Sequence, residues 1–441
     1  MTPPPELARR IGRWALTGLV INGIIGSAIF GLPSAIGGRL GRGAPWAWAA
    51  AAVLIGVVVA CFAEVASRFR DAGGPYLYAH ATFGRFAGLQ TGWMAYLTRL
   101  TAAAANANLF IIYLGQFVPG LAERPGNLVV LTLLIGGLTT INYRGVGPGA
   151  GVSTVFAALK LAGLAGFIVA GLVWWGGNSA VAAAPPPPGL EPWLGAMLIL
   201  VFAYGGFEAA LMPLAEARAP ERDAPVALFT ALAAAALVYM MVQVVVTVTL
   251  PAPGEEARPL AASARVFLGP AGAGLIAGVA LLSTFGYLAG AMVNVPRLTF
   301  AMAERRDLPS GFAAVHRRYR TPFLSILAFA GLAWALASSG SFLQNLTLSV
   351  AARLVTYGLV CAALPVLRRR DGTGKAAPAP AFRLPGGTVL AALGVLGMIL
   401  MAVQVSAREV VIMGIVVGLA TVHYLMVVRR RSESKSVNRE Q

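Results

Sequence analysis

This sequence has little of what soluble enzymes work with. Charged residues make up 12% of its 441 positions, about half the share of a soluble domain. The three histidines, His80, His316 and His423, are scattered, and the two cysteines, Cys61 and Cys361, each sit inside an apolar run. That spacing offers no metal cluster and no disulfide framework, and both thiols read as buried. No G-x-x-x-x-G-K-[ST] run is present, which argues against direct ATP drive, and no cofactor is implied. The apolar runs carry no paired Asp, no Ser/His set and no zinc motif, which argues against an intramembrane enzyme. Acidic residues are also scarce: 17 Asp and Glu stand against 34 Lys and Arg, a net charge of +17. Such an excess points to polyanions when it lies on a soluble face. With 58% apolar residues there is no such face, and intrinsic disorder is excluded as well.

What the sequence does have is long apolar runs. A membrane-crossing helix needs roughly 20 mostly apolar residues, and twelve stretches qualify: 14–38, 44–66, 87–117, 126–143, 149–175, 193–215, 225–250, 271–302, 322–338, 343–367, 386–405 and 409–428. The first follows a basic start but has no A-x-A cleavage pattern, so it is expected to stay as a span. The connections are short and rich in Gly, Pro and Arg, and Pro185–Pro188 makes a stiff loop before the sixth run. With the N-terminus in the cytoplasm, 24 of the 34 basic residues fall on the cytoplasmic side and 6 on the other. Four lie inside spans: Arg99, Lys160, Arg297 and Arg353. This bias follows the positive-inside rule and sets both termini in the cytoplasm. The expectation is an all-α polytopic membrane protein in the cell membrane, with cytoplasmic tails at 1–13 and 429–441.

Two spans carry interruptions. The first holds Gly23-Ile24-Ile25-Gly26-Ser27-Ala28, weak helix, with Pro33 soon after. The sixth holds Gly205-Gly206 flanked by Phe202, Tyr204 and Phe207, with the ionisable Glu208 just beyond. Small residues in a span either let two helices pack closely or mark an unwound segment lining a cavity. Unwound backbone frees N–H groups for a carboxylate and C=O groups for an ammonium. Interruptions at positions one and six favour the second reading, because two five-helix inverted repeats place them there.

The motifs around these breaks resemble those of the amino acid–polyamine–organocation permeases. Gly26-Ser27-Ala28-Ile29-Phe30-Gly31-Leu32-Pro33 is similar to their G-S-G-I-F-x-x-P, and Phe202–Glu208 to their span-six signature. Glu216 through Pro225 resembles their E-x-x-x-P-x-R-x-x-P loop, and Asn142-Tyr143-Arg144-Gly145 their N-x-x-G. Leu308-Pro309 and Arg320-Thr321-Pro322 resemble the loop after span eight. The likeness runs from about residue 11 to the end of the twelfth run. It implies a LeuT-type fold of twelve helices: a first repeat at 14–175, an inverted second at 193–367, and two peripheral helices at 386–428. It also implies amino acid transport by exchange or proton symport. Ala28 replaces the usual second Gly, and Phe202 stands where some members carry Trp.

The resemblance implies roles for single residues. Backbone at Gly26, Ser27 and Ala28 would hold a substrate carboxylate, and carbonyls of Ile24, Phe202 and Gly205, beside Ala203, an α-ammonium. Phe202 is either a gate over the substrate or a core aromatic. Ala102, Asn106, Tyr204, Tyr287 and Ala291 are candidates for side-chain choice. Glu208 either forms a cytoplasmic-side gate with Tyr357 or satisfies frayed backbone where span six restarts. Lys160, with Gly23, Ser283 and Thr284 as candidate neighbours, is either a proton carrier or a permanent tether. Arg99 and Arg353 either snorkel or pair with carboxylates such as Glu64. The expected substrate is a neutral amino acid, because no acidic residue other than Glu208 lies at pocket depth. A polyamine or amine permease and a cationic amino acid exchanger are the alternatives. Partners would be protons and membrane lipids, anionic ones at the Arg305–Arg320 loop, with no nucleic acid, no metal, and a monomer or homodimer. A channel has no use for two broken helices.

Overall fold

The computed structural model describes residues 12–69, 74–145, 150–177, 189–210, 220–304, 307–371, 380 and 382–440; side chains are described for these except 150–154, 209–210, 220–222 and 427–440. Residues 216–219 of the Glu216–Pro225 motif lie outside this set, as do Pro185–Pro188 and the pair Arg305 and Arg306.

The described residues are helical, with no strand among them. In chain order the helices are α1 (Arg13–Ile24), α2 (Ala28–Leu40), α3 (Ala44–Ala66), α4 (Gly74–Phe83), α5 (Arg85–Leu114), α6 (Gly126–Tyr143), α7 (Ala150–Gly176), α8 (Leu190–Ala203), α9 (Phe207–Ala210), α10 (Pro220–Thr249), α11 (Pro259–Glu304), α12 (Phe323–Ser339), α13 (Phe342–Arg370), α14 (Gly387–Ala402) and α15 (Ala407–Glu440). Eight helical stretches are long and apolar enough to cross a membrane, and α8, α12 and α14 are shorter apolar helices. Their outward faces are oily: Leu133 on α6 is 71% exposed and Val173 on α7 73%, and Leu396 and Ile415 behave alike on α14 and α15. Apolar area on this scale is unfavourable in water and natural against hydrocarbon. The chain is thus a multi-pass membrane protein.

Three features depart from the spans read in the sequence. The 271–302 run sits on the longer helix α11, which breaks at Gly269 (φ 67°, ψ −165°). A short helix, α4, lies ahead of the third run. Helix α15 continues past the end of the twelfth run, at residue 428, to Glu440.

The helices gather into two units. One comprises the residues up to Gly88, Ala162–Ile276 and Leu354–Gln404; the other comprises Leu89–Leu161, Ala277–Arg353 and the residues from Val405. Neither is a sequence half, since each takes a segment from both expected repeats. In the first unit, α10 packs on α1 and α3, and α14 on α3. Arg13 at the start of α1 donates to Asp223 on α10 at 2.8 Å. In the second, α6 packs on α12, and Leu131, Ile135, Leu288, Met292, Phe329 and Ala333 form a shared core.

The second unit shows what two of the quoted motifs do. The Asn142 amide donates to the Met292 carbonyl on α11. The Thr321 hydroxyl donates to the Tyr143 carbonyl at 2.8 Å, and the Tyr143 ring meets His316 at 5.2 Å. At Gly145 (φ 79°) a Cβ would come within 3.3 Å of the Tyr319 carbonyl. The N-x-x-G turn after α6 therefore docks on the R-T-P loop before α12. Glycine ends the turn because L side chains rarely adopt this left-handed backbone, and the loop is close enough that a Cβ would press on it.

Candidate functional site

Both interruptions lie in the first unit, and they touch. Helix α1 ends at Ile24 and α2 starts at Ala28 with Ser27 as its N-cap. Helix α8 ends at Ala203, and the chain turns through Tyr204, Gly205 and Gly206 into α9. Gly206 has φ 107°, and a Cβ there would lie 2.3 Å from the Gly23 carbonyl oxygen. A Cβ on Gly23 would lie 3.2 Å from the Gly206 oxygen. Only two glycines allow the backbones to meet so closely, one of them in a conformation that L side chains rarely adopt.

The broken ends need hydrogen-bond partners, since hydrocarbon offers none. Inside the first break, Ile25 N–H donates to Ile21 O at 2.8 Å and Gly26 N–H to Ile24 O at 2.7 Å. In the second, Gly205 N–H donates to Phe202 O at 3.1 Å, and Gly206 N–H to the Glu208 carboxylate at 2.8 Å. The same Glu208 oxygen accepts from the Tyr357 hydroxyl at 3.1 Å. Glu208 therefore serves frayed backbone and Tyr357 together, so the two readings of it are not exclusive. The Tyr357 ring packs on Phe62 at 5.4 Å and on Phe207 at 5.4 Å.

Sequence reasoning missed the residues that support the breaks from α10 and α3. The Tyr239 hydroxyl lies 2.6 Å from Ile24 O and 3.1 Å from Ala203 O. Its ring packs against Trp48 at 4.8 Å and Tyr204 at 5.3 Å. Trp48 donates to Gln243 Oε1 at 2.9 Å, and Gln243 donates to the carbonyl of Pro33 at 3.3 Å. The Tyr204 hydroxyl donates to Trp48 O at 2.8 Å. One signal was present in the sequence: Gln243 is an amide in the middle of a membrane run, and buried polar groups are placed where they find partners.

The remaining candidates stand as follows. Ser27 and Ala28 are buried at the start of α2, and Phe202 is buried at the end of α8. Asn106, in the second unit, is buried and donates to Ala102 O at 2.8 Å along its own helix. Tyr287 and Ala291 on α11 are partly buried against the second unit's core. Lys160 on α7 is buried. One turn before it, Phe156 packs on Phe285 and Gly286 of α11, and Ser283 lies one turn before Gly286. Ser283 Oγ is buried without a hydrogen-bond partner, whereas the Thr284 hydroxyl bonds its own helix at Ala280 O, 2.9 Å. Gly23 belongs to the first unit; Lys160, Ser283 and Thr284 belong to the second.

Glu64 is where the sequence reading is corrected. Its partners are Arg368 and Arg68, not Arg99 or Arg353. Arg368 forks onto it at 2.8 and 2.5 Å, Leu384 N–H donates at 2.7 Å, and Arg68 approaches at 3.4 Å. Arg68 in turn forks onto Asp371 at 2.5 and 3.0 Å. The two buried charges, Glu64 and Arg68, each meet an opposite charge in bidentate geometry, which is how buried charges are tolerated. No group of three or more potential metal ligands occurs among the described residues.

Comparison with known proteins decides what kind of protein this is. The family pattern described as "Amino acid permease" matches residues 11–436. The chain belongs to this family of the amino acid–polyamine–organocation superfamily. The permease is 29% identical over 445 residues to the serine/threonine exchanger SteT of Bacillus subtilis, covering 97% of this chain and 98% of SteT. It is 27% identical over 406 residues to the methylthioribose transporter of the same organism, covering 86% and 85%. An uncharacterized transporter of Mycobacterium tuberculosis is 28% identical over 412 residues, covering 90% of each chain. The chain is accordingly a membrane transport protein for small molecules.

Proposed function

We propose that this permease is a secondary active transporter that exchanges neutral amino acids across the cell membrane by alternating access. The observation that carries the reading is the meeting of two helix interruptions at Gly23 and Gly206. A zwitterion is costly to bury unless both charged ends are bonded. A helix N-terminus suits its carboxylate, and helix-terminal carbonyls suit its ammonium. The N-terminus of α2, with Ser27 and Ala28 at its start, takes the first role. Carbonyls at the end of α8 and at Gly205 take the second. Ile24 is a poorer acceptor than the sequence suggests, because its two lone pairs already receive Gly26 N–H and the Tyr239 hydroxyl. Phe202 closes over the substrate, and Glu208 with Tyr357 forms the opposite gate.

Twelve spans, the inverted-repeat LeuT topology and cytoplasmic termini belong to the same proposal. The alternation of the two units along the chain supports the repeat. The resemblance to a serine/threonine exchanger supports a neutral substrate and exchange. Lys160, buried on α7, supplies the positive charge of the coupling site, as a permanent tether or as a proton carrier. A ligand screen by thermal shift tests the assignment, because a ligand raises apparent stability only by binding the fold. Serine, threonine and alanine should stabilise the purified protein; putrescine, arginine and methylthioribose should not. Stabilisation by methylthioribose or putrescine alone would overturn it.

A further inference from the structure

The chain's only two cysteines stand three hundred positions apart, and the fold brings them together. Cys61 on α3 and Cys361 on α13 are fully buried, and their thiols hydrogen-bond each other. Helix α14 covers them at Gly394, where a Cβ would come within 2.9 Å of Cys361 Sγ. A glycine there leaves the sulfur its space. The same seam between α3 and α13 carries two other contacts. Phe62, next to Cys61, packs on Tyr357, one turn before Cys361, and on Phe207 at 5.1 Å. Glu64, one turn after Cys61, takes the Arg368 fork. On α13, therefore, Cys361 stands between Tyr357 and the ion-pair cluster. A buried cysteine is commonly a small apolar filler, but filling does not require two of them to touch. Sulfurs already in contact close into a disulfide with little movement of the backbone.

We propose that Cys61 and Cys361 are an oxidation site, at which a peroxide turns the thiol pair into a disulfide that ties α3 to α13. The pair has no exposed surface, so bulky or charged oxidants are kept out, and hydrogen peroxide, small and neutral, is the class that reaches it. One sulfur, as thiolate, attacks a peroxide oxygen; water leaves and a sulfenic acid remains. The second sulfur attacks the first, the S–S bond forms and a second water leaves. Two thiols and one peroxide thus give one disulfide and two waters. The cross-link holds Tyr357 against Phe62, so the gate of Glu208 and Tyr357 stays shut and exchange stops. That consequence rests on the proposed function; the disulfide itself does not.

The test treats the full chain, in proteoliposomes, with hydrogen peroxide. Peptide mass spectrometry should find Cys61 and Cys361 linked and two hydrogens lighter. Thiol titration of the denatured protein should fall from two free thiols to none. Serine uptake should lose most of its rate, and a phosphine reductant should restore both the thiols and the uptake. Cys61→Ala and Cys361→Ala each remove the cross-link and should keep their uptake through the same treatment, so one variant that folds is enough. Thiols that survive the peroxide, singly oxidised cysteines without a linked peptide, or linked protein that takes up serine at the untreated rate would each overturn the proposal. If the untreated protein carries no amino acid, the functional reading falls, while the linked peptide still decides whether the pair is an oxidation site.

Discussion

A Cβ on residue 206 would sit 2.3 Å from the Gly23 oxygen, in a backbone with φ 107°. Gly206→Ala therefore combines a clash with a left-handed strain of about 1–3 kcal/mol. The expected outcome is a lower melting temperature and loss of ligand stabilisation; a variant with wild-type values would mean that the breaks do not touch. Elsewhere in the first unit, the Arg68 guanidinium hydrogen-bonds Asp371, just past α13, and holds its carboxyl below the usual carboxylate range. A depressed folded pKa adds stability above the unfolded value of about 3.9 and loses it as pH falls through the folded value. Asp371→Asn should melt below wild type at pH 7, and the gap should close as pH drops under about 3.9. A gap independent of pH would show that the charge is not what matters. The sequence pointed to Gly206 through its neighbours Gly205 and Glu208. It said nothing of Asp371, whose partner Arg68 is 303 positions away and is chosen only by the fold.

At the scale of elements, helix runs and interruptions were legible because both depend on nearby residues: apolar length for the runs, glycine and proline for the breaks. Less legible was what satisfies the breaks, because Tyr239 and Gln243 sit on α10, more than 200 positions from Ile24 and Pro33. In a membrane run, a buried tyrosine and a lipid-facing one look alike. The break at Gly269 was missed for a similar reason, since Gly269-Pro270 reads as a loop end. Glu64 was seen as a carboxylate that Arg99 or Arg353 could pair with if they did not snorkel. Its true fork with Arg368 joins α3 to α13, and Leu384 ahead of α14 closes it. Arg368→Ala should destabilise by about 3 kcal/mol, because Glu64 is left buried with less than its full set of partners. The Glu64→Gln/Arg368→Ala double variant should recover part of that loss. Unfolding in a denaturing detergent series measures both; additive losses would contradict the pairing.

For the whole molecule, the family and the small-molecule transport role were legible because ordered motifs run over most of the chain. The division into two units was not, since each draws on segments far apart in sequence. Lys160 is where whole-molecule behaviour is open to test. A permanent charge survives replacement by arginine, and a proton carrier does not, because arginine stays protonated. A tether therefore predicts that Lys160→Arg keeps most of the exchange rate and Lys160→Met loses most of it; a carrier predicts equal loss in both. The most direct test of the central claim is counterflow in proteoliposomes. Labelled serine outside should accumulate in vesicles preloaded with unlabelled serine or threonine, saturably, and far less in empty ones. Equal entry into loaded and empty vesicles, or none into either, would contradict the account.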